Sequence, residues 1–147
     1  MRDGFLDIPL DCEVYTSIGR ILERTQIVEI LQVINILKGD MSFVGNRPLP
    51  KANFEQLKKF PKWEKRFDSP AGITGISQIA GKFKLNTQQR LDLEKMYSSI
   101  YKNPNGSLLL CDLLIIWNTS LLIFNGKYLN YDKAVKLLLK CGADFDD

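Results

Sequence analysis

Histidine is missing from all 147 residues. Its absence excludes Ser-His and Cys-His nucleophilic catalysis, imidazole acid–base chemistry and most zinc sites. Cysteine is scarce: Cys12, Cys111 and Cys141 are an odd set without metal-ligand spacing, which reads as free thiols in a reducing compartment. No signal peptide is expected from the opening Met1-Arg2-Asp3-Gly4, which leads into mixed polarity. Long hydrophobic runs are also lacking. The most apolar one, Leu108–Phe124, is interrupted by Asp112 and Asn118 and is shorter than the ~20 residues a bilayer requires. This chain is expected not to cross a membrane by itself. Net charge is only +3, too little to argue for nucleic acid and compatible with a weakly basic surface near anionic lipid or a nucleotide. Internal repeats and low-complexity segments are absent. Any enzymatic chemistry must therefore run on carboxylates, Lys, Tyr or a metal held by oxygen ligands.

What is present suits one domain over residues 1–147, with 45% hydrophobic and 25% charged residues. Residues Met1–Tyr15 read as an extended lead-in, followed by a short helix from Ser17 to Arg24 and a central helix from Gln26 to Leu37. Thr25 is a plausible N-cap, and Ile27, Ile30, Leu31, Ile34 and Leu37 mark the expected buried stripe. Met41–Val44 suits a short strand. Pro48 and Pro50 hand over to a helix across Lys51–Phe60, and Pro61–Arg66 adds a further turn carrying Trp63. The three glycines and β-branched residues of Ser69–Lys82 suggest loop and short extended pieces. Asn86 with Gln89 forms a capping-box pattern that opens a helix from Thr87 to about Tyr101. Asn103-Pro104-Asn105-Gly106 is a turn, Ser107–Phe124 an apolar helix, and Tyr131–Lys140 a last amphipathic helix stopped by Gly142. The fold class is α+β and mostly helical, with compact helices around short strands and glycine-rich loops.

Two features carry chemistry. Gly39-Asp40-Met41-Ser42 and Gly45-Asn46-Arg47-Pro48 bring a carboxylate, a hydroxyl and a guanidinium into one tight loop, a combination suited to phosphate and a divalent metal, though such loops are mostly turns. On the uncharged polar face of the central helix (Thr25, Val28, Gln32, Asn35), Val28 is apolar and directly precedes Glu29. The basic cluster of Lys51–Arg66 is interleaved with acidic residues and reads as a solvated helix face. For Trp63, Phe67, Trp117 and Phe124 core packing is the expectation, with lipid anchoring as the alternative.

Taken together, Ile18-Gly19-Arg20, Glu29, Gln32 and the run Leu37–Leu49 resemble the bacterial sugar transferase family, the monotopic polyprenyl-phosphate phosphoglycosyl transferases. Gly72-Ile73-Thr74-Gly75, Gln78 and Gly81-Lys82 resemble the family's second signature. Arg90, Asp92 and Tyr97 fit the helix that follows, and Asp112 fits the C-terminal helix. The resemblance implies transfer of a sugar 1-phosphate from a UDP-sugar to a polyprenol phosphate, at the cytoplasmic side of the bacterial inner membrane. It implies peripheral membrane contact, and solubility if the chain is complete as given. By that resemblance an Asp-Glu dyad with Mg²⁺ attacks the phosphate and expels UMP. Glu29 is then the catalytic candidate, Glu29 and Asp40 are the metal candidates, and Arg47, Lys82, Ser42 and Gln78 would bind phosphate or nucleotide.

Several positions depart from the pattern. The family's nucleophilic aspartate falls on Val28, which has no oxygen to form an acyl phosphate. An upstream basic residue falls on Glu23, the proline of Gly-Pro-Arg-Pro on Asn46, and an arginine on Lys82, which loses the bidentate fork. The family's re-entrant membrane helix finds no counterpart, so the chain resembles the globular portion alone. Two readings follow: an enzyme using Glu29, Asp40, Arg47 and Lys82, or a non-catalytic relative that keeps a nucleotide- or phosphate-binding pocket, or merely the fold, and acts as an assembly partner at the membrane. Absent or very low turnover is expected.

Overall fold

The computed structural model describes residues 27–49, 51–81 and 84–144. Helix α1 (Ile27–Leu37) leads into strand β1 (Ser42–Val44), helix α2 (Lys51–Leu57) and a 3-10 segment (Trp63–Asp68). Strand β2 (Gly72–Thr74) and a one-turn helix α3 (Ile76–Ile79) precede the three main helices, α4 (Thr87–Lys102), α5 (Leu108–Asn125) and α6 (Tyr131–Lys140). The mostly helical α+β expectation is met. The predicted Ser17–Arg24 helix and the Thr25 cap lie outside the described residues, as does Cys12.

Local chemistry accounts for the helix ends. Asn86 Oδ1 accepts the Gln89 amide at 2.7 Å while the Asn86 amide donates to Gln89 Oε1 at 3.1 Å, so the capping box closes in both directions. Asn103 accepts the Gly106 amide at 2.9 Å, making the expected turn between α4 and α5. Asn130 Oδ1 caps α6 by accepting from the Lys133 amide at 3.0 Å. Gly126, with φ of 63°, ends α5 in the left-handed region that glycine occupies without strain.

The two strands pair in parallel, with Ser42 opposite Gly72 and Val44 opposite Thr74. Parallel strands need a crossover, which here runs through α2 and the 3-10 segment. Val44, Ile76, Ile79, Leu93, Met96, Tyr97, Ile100, Ile115 and Leu138 form the core with Cys111 and Cys141. Both cysteines are buried and outside any disulfide. Burial is the first cause pushing both thiols above the ordinary cysteine range.

Two apolar expectations need correction. Ile34 and Leu37 of the predicted α1 stripe are exposed, because no described element is laid along that side of the helix. Trp117 and Phe124, expected in the core, are 63% and 85% exposed. Helix α5 turns Cys111 and Ile115 inward and leaves Leu110, Leu113, Trp117, Leu121 and Phe124 outward at three- and four-residue spacing. Phe67, also expected in the core, is exposed; with Trp63 and Phe54 it forms an aromatic cluster at the surface, ring centroids 5.0 to 6.0 Å apart.

Candidate functional site

The loop Gly45–Pro48 leaves the end of β1 and folds back against the segment 70–75. Asn46 makes an isolated parallel bridge to Ala71, the Gly72 amide donates to Asn46 O at 3.0 Å, and the Gly45 amide donates to Thr74 O at 2.9 Å. Such a reversal is possible because three glycines meet there. A Cβ on Gly45 would overlap Pro70 O, one on Gly72 would overlap the Gly45 backbone, and one on Gly75 would overlap Gly45 O. The two glycine-rich signatures are thus one structural object. Gly72→Ala should lower the unfolding free energy by about 3 kcal/mol, since the clashing atoms are backbone and cannot step aside; urea titration measures it.

Beneath this crossing lies a buried polar cluster. Glu94 on α4 is 1% exposed and Arg66 in the 3-10 segment is 2% exposed. Arg66 Nε pairs with Glu94 Oε2 at 2.8 Å. Glu94 Oε1 takes Arg90 Nε at 3.3 Å and Ser77 Oγ at 3.1 Å. Arg66 Nη2 donates to Arg47 O at 3.0 Å. The side chain of Asn46 enters the same cluster, with Nδ2 at 2.8 Å from Arg66 O, 3.1 Å from Glu94 O, 2.9 Å from Ser98 Oγ and 3.1 Å from Ser69 Oγ. Two amide hydrogens cannot fully serve four oxygens. The carbonyls, which have no proton of their own, take precedence, while the hydroxyls can rotate to one another across 3.0 Å. Asn46, where a proline was the expectation, is therefore the pin that holds the loop to α4 and the 3-10 segment.

Tyr97 and Asp112 do meet: the phenol donates to Asp112 Oδ1 at 2.8 Å and lies 3.4 Å from Val44 O, joining α4, α5 and β1. Burial, then the neighbouring Asp112, pushes the phenol far above its ordinary pKa. Burial also raises Asp112, with the Tyr97 hydrogen bond partly offsetting it. A carboxyl whose pKa rises on folding stabilises the fold in its protonated form, and that contribution is lost as the pH climbs through the folded pKa. Asp112→Asn keeps an acceptor for Tyr97 and removes the buried charge. It should raise Tm at pH 7, with the gain shrinking to nothing as the pH falls below the ordinary aspartate range.

Other candidates are distributed as follows. The Val28 and Glu29 backbone lies in the first turn of α1. Ser42 begins β1, its amide bonded to Ala71 O at 2.8 Å. Asp40 is exposed in the turn after α1, and Arg47 is partly buried. Gln78 spends its Nε2 on Ile73 O at 2.7 Å, bracing its own loop, while its Oε1 is buried without a donor. Gln32 Oε1 is also buried without one. Lys82 lies outside the described residues. Among the described residues no three carboxylates or thiols gather as a metal cage. Asp92 on α4 is half-buried, 2.8 Å from Gln88 and 3.0 Å from Lys95. Glu94, which the sequence reading passed over, occupies the buried position. The signal was there: Arg90, Glu94 and Tyr97 follow helical spacing on one face.

Comparison with known proteins gives the family. The bacterial sugar transferase family profile matches residues 10–126. A UDP-glucose:undecaprenyl-phosphate glucose-1-phosphate transferase of Caulobacter vibrioides is 39% identical over 67 residues, covering 45% of this chain and 25% of its own length. A UDP-N-acetylgalactosamine-undecaprenyl-phosphate N-acetylgalactosaminephosphotransferase of Aeromonas hydrophila is 31% identical over 113 residues, 76% of this chain and 26% of its own. Exopolysaccharide production protein ExoY of Sinorhizobium fredii is 32% identical over 104 residues, 71% of this chain and 42% of its own. The matched stretch therefore spans less than half of each of these relatives. With its two glycine signatures joined in one crossing and the profile running through both, this chain belongs to the bacterial sugar transferase family.

Proposed function

We propose that this chain is the globular part of a sugar-phosphate transferase that takes a UDP-sugar and a polyprenol phosphate, and that it retains the anion-binding frame while turning over slowly or not at all. The observation carrying this reading is the Gly45–Pro48 loop, held at backbone level by the glycine crossing and carrying Arg47, inside a chain of this family. A guanidinium on an anchored loop suits phosphate oxygens, and preset charge placement is most of what phosphoryl transfer asks of a protein. Ser42, at the start of β1, and Gln78, whose Nε2 braces the second glycine loop, belong to the proposed binding set. Lys82 completes the proposed binding set.

Magnesium fits in a limited way. Residue 29 lies in the first turn of α1, and residue 40 lies in the turn beyond its end with its amide bonded to Asn35 O, about 9 Å along the helix from residue 29. Glu29 or Asp40 would hold an ion together with phosphate oxygens, a mode common for this metal. When bound, the ion would neutralise phosphate charge. Val28 stands where the attacking carboxylate belongs, and a hydrocarbon cannot attack phosphorus. Neither Glu29 nor Asp40 substitutes readily, because a displacement of about an ångström already costs ~100-fold.

Membrane contact is part of the reading. Helix α5 has a mean hydropathy of 1.8 over 18 residues, and only 11% of it is buried. Its inward face stays on the domain through Cys111, Ile115 and a 2.7 Å bond between Thr74 and Thr119, so it lies along the domain. Its one carboxylate, Asp112, is tied to Tyr97, leaving an uncharged apolar face with Trp117 outward and Lys127 and Tyr128 beyond its end. That composition suits the headgroup boundary of a bilayer, on the side where a lipid phosphate is presented.

The test is direct. The chain and a Val28→Asp variant are incubated with labelled UDP-sugar, Mg²⁺ and polyprenol phosphate in lipid nanodiscs. Little or no transfer by the unaltered chain, and lipid-linked label with the variant, are expected. Robust transfer by the unaltered chain would sink the impaired-enzyme reading.

A further inference from the structure

We infer that Glu94 is a positioning residue for Arg47, acting through Arg66 and Asn46; this rests on the reading above that Arg47 engages the nucleotide phosphates. The path is short and nearly all buried. The Glu94 carboxylate fixes the Arg66 guanidinium at 2.8 Å, and the other arm of that guanidinium holds the carbonyl of Arg47 at 3.0 Å. A second path joins the same elements, because the Asn46 amide grips the main-chain oxygens of both Arg66 and Glu94. The Asn46 side chain is thus fastened to main-chain carbonyls of α4 and the 3-10 segment, and the Arg47 carbonyl to the Arg66 guanidinium. The direction in which the Arg47 side chain leaves the backbone is set from below.

The energetic logic favours positioning over bulk support. An arginine buried to 2% exposure keeps its place only while a carboxylate answers it. When that carboxylate is weakened, the guanidinium turns toward water and lets go of the Arg47 carbonyl. The glycine crossing, made of backbone–backbone bonds at Gly45 and Gly72, is left intact. The consequence is a loop that remains in place but no longer aims its arginine.

A double-mutant cycle read by calorimetric UDP binding in Mg²⁺ buffer tests this, on the full 147-residue chain below its melting temperature. Arg47→Ala should weaken UDP by about tenfold or more. Glu94→Gln should weaken it by roughly tenfold in the unaltered background. In the Arg47→Ala background the same change should cost less than about twofold, because the residue it acts through is gone. Equal losses in both backgrounds would show a general structural role and overturn the proposal. Unchanged affinity in Glu94→Gln beside a loss in Arg47→Ala would overturn the positioning role alone. Unchanged affinity in Arg47→Ala would overturn the reading of Arg47 itself, and the proposal with it. Arg66→Lys supplies the same cycle if Glu94→Gln does not fold, since lysine keeps a cation for Glu94 but lacks the second arm.

Discussion

Exchanging Trp117 and Phe124 for serine should detach the chain from anionic phospholipid vesicles while leaving its circular dichroism and melting temperature unchanged. Both rings stand clear of the domain, so removing them opens no cavity. Each large apolar side chain taken from water contributes about 1.5–3 kcal/mol when fully buried. Two at the lower figure amount to about 3 kcal/mol, a ~100-fold drop in vesicle partitioning. Co-sedimentation with sucrose-loaded vesicles measures it. Undiminished binding would place the lipid contact elsewhere. Leu110, Leu113 and Leu121 continue the same outward stripe, so a graded series along α5 would map how much of it enters the headgroup layer.

The second large effect lies on the opposite side of the chemistry. Glu94→Ala leaves Arg66 and Arg90, both almost wholly buried, without the carboxylate they share. Breaking a buried ion pair from one side typically costs about 3–5 kcal/mol. Domains of this kind are usually stable by only about 5–15 kcal/mol, so the variant should melt far earlier and show a much lower urea midpoint. Glu94→Gln should lose less, because its carbonyl oxygen still accepts from one arginine and its shape is unchanged, while both guanidinium groups still lose their counter-charge. A loss below about 1 kcal/mol for the alanine variant would mean that both guanidinium groups find new partners.

The elements with local causes could be read directly from the chain. The Asn86–Gln89 box, the Asn103–Gly106 turn and the glycine stops after α5 and α6 are each decided by a few adjacent residues, and each is where the sequence puts it. Tyr97 and Asp112 were picked as separate motif residues, and their 2.8 Å bond explains why both sit where they do. The Arg66–Glu94–Asn46 cluster was not legible, because it joins four segments whose proximity no local pattern reports. Asp92 drew attention in place of Glu94, although only Glu94 faces the core. The outward stripe of α5 is illegible in the sequence for another reason. An apolar residue at helical spacing looks the same whether protein or lipid is to cover it, and only the packing of Cys111 and Ile115 shows which side is inward.

The glycine crossing has a consequence for how the molecule assembles. The hydrogen bonds at Gly45 and Gly72 close only when residues 42–46 meet residues 70–75, after the intervening α2 and 3-10 segment have folded back. The anion loop therefore belongs to a late, cooperative unit of non-local contacts. No peptide carrying only the first signature would hold Arg47 in place. In native-state hydrogen exchange the amides of Gly45 and Gly72 should open together, as members of one foldon drawn from two distant parts of the chain.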